Sequence, residues 1–253
     1  MANGTSSAQK KSSASRKGGG KGAGARANDP MEALRHRILE EMRTEAVFDG
    51  WTLATLKQAA FAAGMSQQEW QRGDIHLAFP DGIADVLDFW SGLEDDRMVA
   101  AYETADPAPT RIRDKVTFLV RARLEGLADH REAARRASAT LALPPYAGIA
   151  ARLTWRTADR IWRALGDTST DYNYYTKRAT LSAVYLSTLT HWLADETADE
   201  AQPFADSWVF LDKRIENIMQ FEKVKGKVLK AVPDPGELFG ALGKIRYGGG
   251  SSR

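Results

Sequence analysis

Cysteine is absent from the 253-residue chain. Its absence excludes disulfides, thiolate zinc sites, iron–sulfur clusters and cysteine nucleophiles together, and fits a reducing or redox-indifferent compartment. Long apolar runs are missing too. None approaches the roughly 18–20 residues that a bilayer-spanning helix needs, and the N-terminus has no hydrophobic signal core, so the expectation is a soluble or peripheral protein. Histidine is scarce: His36, His76, His130 and His191 are scattered, with no His-x-x-x-His or Glu-x-x-His pairing to hold a metal. No P-loop, GxGxxG or GxSxG is present. The carboxylate clusters Glu94-Asp95-Asp96 and Asp195-Glu196 read as solvated helix ends. No catalytic constellation survives, so the expectation is a protein that is not an enzyme, with no catalytic residue, no metal and no cofactor.

Acidic residues are missing from the first 28 positions, which carry Lys10, Lys11, Arg16, Lys17, Lys21 and Arg26 for a charge of +6. Residues 221–253 carry +4. The whole chain is only +2, so its middle is acidic by about −8. An acidic body between basic ends is a poor DNA clamp, because DNA affinity rests on neutralising phosphates. The ends suit an anionic surface. Residues 1–28 are Ser, Gly, Ala and Lys with little to bury and read as a disordered basic tail.

Period-two alternation is also lacking, and what remains is helical. Leu34, Ile38, Met42 and Ala46 recur at helical spacing until Asp49-Gly50, and Thr52 opens a second helix that Gly64 stops. A short segment from Ser66 to Arg72 leads to His76-Leu-Ala-Phe79-Pro80. Beyond Asp81-Gly82 a long helix presents Ile83, Leu87, Trp90 and Leu93. Ile112, Val116, Leu119, Val120, Leu124 and Leu127 form the next stripe. His130 to Ala137 starts a helix broken by Leu143-Pro-Pro145. Trp155, Ala158, Trp162 and Leu165 mark another, Leu181, Tyr185, Leu189 and Trp192 another, and Trp208 to Met219 the last, with Phe221, Val224 and Val228 continuing it. The fold class is all-α. The expected divisions are a tail over 1–28, a helix-turn-helix-like part over 29–95, a helical lipid-binding and dimerisation part over 96–220, and a basic segment over 221–253.

Two places carry more polar and aromatic character than connection requires. Gly166 to Arg178 joins two apolar helices and crowds Tyr172, Tyr174 and Tyr175 beside Lys177 and Arg178. Any of Asp167, Ser169 and Asp171 can cap the helix that follows, and the aromatics beside arginine have the composition of a protein-contact hot spot. They equally suit packing into a core. After Pro233-Asp-Pro235, Leu238, Phe239, Leu242 and Ile245 gather on one side of a short segment with Lys244 and Arg246, an amphipathic pattern for a membrane interface or for docking on the body. The tryptophans admit a filled core or the walls of an elongated cavity.

Thr55-Leu56, Ala59-Ala60, Ala63-Gly64-Met65-Ser66 and Phe79-Pro80-x-Gly82 resemble the helix-turn-helix and following corner of TetR-type regulators. The second helix offers Gln67, Gln68, Glu69, Trp70 and Gln71 with only Arg72 basic, a weak set for reading DNA. Ser169 to Arg178 (Ser-Thr-Asp-Tyr-Asn-Tyr-Tyr-Thr-Lys-Arg) resembles the signature of the ubiquinone-biosynthesis accessory family of TetR-like fold, coenzyme Q protein nine. Phe48-Asp-Gly-Trp51, Ala78-Phe79-Pro80, Leu141-Ala-Leu-Pro144, Ile161-Trp162 and Trp208-Val-Phe-Leu-x-x-Arg-Ile215 match in the same order. The resemblance implies a TetR-like helical bundle, a homodimer that binds an isoprenoid or other lipid as its ligand and presents ubiquinone precursors to a ring hydroxylase of di-iron or flavin type. The weak reading helix argues against a DNA partner. The hydroxylase-facing patch carries over to Asp171, Tyr174 and Tyr175, with Lys177 and Arg178 beside them. Cavity candidates are Trp155, Trp162, Tyr185, Trp192 and Trp208, and membrane-binding candidates are Leu238, Phe239, Leu242, Lys244 and Ile245. The expected location is the bacterial cytoplasm, peripheral to the inner membrane. The rival reading is a TetR-family regulator with a hydrophobic effector.

Overall fold

The computed structural model describes residues 29–197 and 201–231, with side chains through residue 220. Every regular element among the described residues is helical. Helix α1 (Pro30–Asp49) begins where Asp29 accepts from the Met31 amide, with Pro30 in the first turn, where its missing N–H is no loss. Helix α2 (Leu53–Ala62) is capped by Thr52, whose hydroxyl accepts from the Thr55 amide. Gly64 then takes a φ of 99°, a left-handed conformation that favours glycine, and turns the chain into α3 (Gln67–Arg72). Ser66 and Glu69 cap α3 reciprocally. Helix α4 (Ile75–Ala78) is not expected from the sequence, because four residues are too few to show a period.

Helix α5 (Ile83–Glu103) runs unbroken through position 95, where the sequence places a boundary. Helices α6 (Ile112–Glu125), α7 (Arg131–Leu141), α8 (Ala147–Ala164), α9 (Tyr172–Ala194) and α10 (Ala205–Ala231) follow. A 3-10 turn at Pro144–Tyr146 separates α7 from α8, as two prolines without amide donors require. Trp51 joins the N-terminal helices to the rest. Its ring stacks on Trp90 of α5 with centroids 5.3 Å apart, and its indole N–H donates to the Ala133 carbonyl of α7 at 3.0 Å.

Arg131 at the start of α7 closes the other end. It donates to the carbonyls of Trp192 and Asp195 and lies over the rings of Trp192 and Phe204, pinning the turn between α9 and α10. No helix among the described residues is long and apolar enough to cross a membrane. The tail 1–28 and the membrane candidates Leu238, Phe239, Leu242, Lys244 and Ile245 lie outside the described residues.

Candidate functional site

The corner between α8 and α9 is held by charge. Asp167 accepts from Lys177 Nζ at 2.7 Å, the Ser169 hydroxyl at 2.8 Å and Arg178 Nη1 at 3.0 Å. The Lys177 ammonium above all, with Ser169 and Arg178, holds the Asp167 carboxyl far below the usual carboxylate range. Arg178 also donates from Nε to Asp159 at 2.6 Å and lies 3.5 Å from the centre of the Tyr174 ring. Asp171 is the helix cap, accepting from the Asn173 amide at 3.0 Å. Asp167 and Ser169 are therefore diverted from capping to the ion-pair cluster.

This arrangement sorts the expected partner-binding residues. Tyr172 and Tyr175 are 72% and 61% exposed, and Asp171 is exposed beside them. Tyr174 is half-buried, edge-on to Tyr175 at 5.1 Å, and Trp155 of α8 sits against both tyrosines. Lys177 faces inward to Asp167 and Ser169. Arg178 requires a correction: it is 1% exposed, locked between two carboxylates, and has no surface to offer a partner. The sequence shows Lys-Arg beside aromatics, but not that its own aspartates consume both cations.

A cavity of about 360 Å³ lies among α5, α6, α7, α8 and α9. It exists because α7 and α8 present small side chains where bulk would fill the space: Ala134, Ala137, Ser138 and Ala142 on one side, Ala150 and Thr154 on the other. Leu87, Trp90, Leu127 and Leu153 supply apolar wall, and Leu186, Leu189 and Leu193 line the α9 side. Its size falls in the ~300–1,000 Å³ range of small-ligand sites.

Of the five cavity candidates, Tyr185 alone lines this space. Trp162 lines a second cavity of about 270 Å³ with Ile112, Thr180, Ile215 and Met219, and its indole N–H donates to the Lys177 carbonyl. Trp155, Trp192 and Trp208 line neither. Trp155 belongs to the tyrosine cluster, and Trp192 is fully buried against Phe204. Trp208 donates to the Pro203 carbonyl and lies under Arg121. Small residues build the cavity, and most of the large aromatics pack elsewhere.

The reading of the carboxylate clusters as solvated is also corrected. Glu94, Asp95 and Asp195 are buried, and only Asp96 and Glu196 face solvent. Asp95 accepts from Arg123 Nε at 2.8 Å, Thr157 Oγ1 at 2.8 Å and Arg156 Nε at 3.3 Å. Glu94 accepts from the Trp90 indole at 3.1 Å and from Arg97. Arg123 was the signal for this network, since it falls on the apolar stripe of α6 four residues after Leu119. A lone arginine on such a stripe needs a buried acid.

At the other end of the molecule, α3 is six residues long and its one cation, Arg72, donates to Asp74 at 2.7 Å. Its other polar residues are Gln67, Gln68, Gln71 and the capping Glu69.

Comparison with known proteins bears out the resemblance carried by the α8–α9 corner. The COQ9 family model matches residues 147–222. The ubiquinone biosynthesis protein COQ9 of Homo sapiens is 29% identical over 216 residues, which is 81% of this chain and 63% of that protein. The Bos taurus and Drosophila melanogaster proteins of the same name are 30% and 26% identical, again over 81% of this chain. The chain thus spans a little under two thirds of the length of these relatives. Among solved structures, a TetR transcriptional regulator from Nitrosomonas europaea ATCC 19718 superposes with a TM-score of 0.55 at 22% identity, covering 74% of this chain and 97% of that one. The bundle is TetR-like. The expected bacterial cytoplasmic location is corrected, because these curated relatives are named as mitochondrial proteins of eukaryotes and lend it no support.

Proposed function

We propose that this chain, matched to COQ9 over residues 147–222, serves ubiquinone biosynthesis as a lipid-binding protein without chemistry of its own. It holds a polyprenylated precursor in the cavity among α5–α9 and presents it, as a homodimer at a membrane surface, to a ring hydroxylase of di-iron or flavin type. The hydroxylase docks on Asp171, Tyr174 and Tyr175, with exposed Tyr172 beside them.

The observation that carries this reading is the cavity itself, a largely apolar space of about 360 Å³ kept open by small side chains. A polyprenyl tail cannot leave a bilayer freely, since each methylene brought into water costs about 0.8 kcal/mol. An apolar cavity replaces that lost environment. The test is mass spectrometry of lipids extracted from the purified protein. Isoprenoid quinones or their precursors are the expected result; a protein that carries no lipid and takes none up from vesicles overturns the reading.

A TetR-type regulator with a hydrophobic effector remains the rival, because the bundle and its helix-turn-helix are shared with such proteins. The observation against it is α3, whose only cation is neutralised by Asp74. A DNA-reading helix needs free donors for phosphates and base edges.

A further inference from the structure

Two charged side chains, Glu94 and Arg123, line the α5–α9 cavity. Arg123 on α6, Glu94 on α5, Thr157 on α8 and Tyr185 on α9 are all buried. At the rim Ala142, Leu186 and Thr190 are exposed, with Leu141, Leu189 and Leu193 half-buried beside them. The polar side chains Glu94, Arg123, Thr157 and Tyr185 thus lie in the buried part of the lining, beside apolar Leu87, Trp90 and Leu153, while the exposed part is leucine, alanine and threonine.

Most of these polar groups are already paired. Glu94 accepts from Trp90 and Arg97, and Thr157 donates to Asp95. Arg123 donates from Nε to Asp95 and from Nη2 to the Ser91 hydroxyl at 3.2 Å. Two donors are left over. Arg123 is 4% exposed and its Nη1 has no hydrogen-bond partner. The Tyr185 hydroxyl makes no hydrogen bond among the described residues, and the Arg123 guanidinium lies 5.8 Å from the centre of its ring. Native proteins seldom bury a charged donor without something to meet it, so an unpaired guanidinium N–H beside a cavity is met there by water or by an acceptor on a ligand.

We propose that the cavity takes its amphiphile head first, with an oxygen of the ring head, a quinone carbonyl or a phenol oxygen, accepting from Arg123 Nη1 and the Tyr185 hydroxyl, while the tail leaves past Leu189 and Leu193 over Leu186. This rests on the reading of the cavity as a lipid site and adds the chemistry of the head and the direction of entry. The reverse pose sets an apolar tail against Glu94 and Arg123 and leaves Nη1 unpaired. Head-first entry removes both penalties. Burial pushes the Tyr185 phenol up, so it stays protonated and remains a donor near neutral pH. Trp90, in the same wall, gives an aromatic head a flat neighbour. Presentation then requires the ligand to withdraw past the leucine rim before its ring is reached by a partner.

The test compares decylubiquinone with decylbenzene, which shares the tail and lacks oxygen. Each is titrated against the full chain, Tyr185→Phe and Arg123→Lys by displacement of a neutral naphthylamine dye. Tyr185→Phe is expected to weaken decylubiquinone about fivefold and Arg123→Lys about tenfold, with decylbenzene changed by less than about twofold in both. Arg123 also pairs with Asp95, so melting temperature is followed in each variant. Tyr185→Phe loses no internal hydrogen bond, should melt no lower than the parent, and decides the matter alone if Arg123→Lys does not fold. Equal decylubiquinone affinity in the parent and Tyr185→Phe overturns head-first binding and leaves the lipid site standing. Failure of both compounds to displace the dye from the parent overturns the lipid site as well.

Discussion

Arg178 and Tyr175 stand three positions apart on α9 and do opposite things. Arg178 is enclosed by Asp159 and Asp167, so Arg178→Ala strands two carboxylates near the core. The expected cost is about 3 kcal/mol or more, read as a lowered urea midpoint. Tyr175 is exposed, so Tyr175→Ala is expected to change stability by no more than about 0.5 kcal/mol. A pull-down with the ring hydroxylase should nevertheless weaken. If Tyr175→Ala binds the hydroxylase as well as the parent, the α8–α9 corner is not the docking surface. Asp167 adds a pH signature. Its folded pKa is depressed by Lys177, Ser169 and Arg178, so its contribution is fully present above the ordinary carboxylate pKa of about 3.9 and is lost as pH falls toward the folded value. Asp195, held at about 2 against its own burial by hydrogen bonds from Ser207 and Thr197, acts in the same direction. The urea midpoint should stay level from about pH 7 to 5 and fall below about pH 4, with a shallower fall in Asp167→Asn.

At the scale of elements, the cap and the close approach are testable separately. Asp171→Ala removes the acceptor at the start of α9 and should cost about 1 kcal/mol, measured by denaturation. Gly126, at the end of α6, is a packing position: a Cβ there meets Glu94 Oε2 at 2.7 Å. Gly126→Ala should displace the Glu94 carboxylate from the Trp90 indole, a change visible in tryptophan fluorescence, while stability moves by about 1 kcal/mol or less because a side-chain tip can yield. The helices were legible from the sequence because their apolar periods are long and their ends carry Asp29, Thr52, Ser66 and Asp171 as caps. Helix α4 was hidden by its length, and the buried acids were hidden because a run of carboxylates looks solvated until its arginines are known. The tyrosine corner was legible as a crowd of unusual residues. The cavity was not, since large aromatics are what a sequence shows of a cavity wall and this space is made by the alanines of α7 and α8. Absence of bulk leaves little trace in composition.

For the molecule as a whole, the TetR-like bundle is a shared fold and does not by itself carry DNA reading. Helix α3 follows a tight turn and carries a reciprocal cap, and its one cation is paired with Asp74. The full chain should therefore give no sequence-specific, salt-sensitive shift with DNA from its own promoter region. A specific shift that disappears on adding decylubiquinone would restore the regulator reading.

The cavity is smaller than a long polyprenyl lipid, and its leucine rim is open. Such a site cannot act as a ruler. On the proposed head-first pose, each added isoprene unit would strengthen binding only until the tail reaches Leu186, and every unit beyond would lie outside the bundle. Selection among natural quinones of different chain length would then rest on the ring alone, so one protein would serve any tail its membrane happens to make.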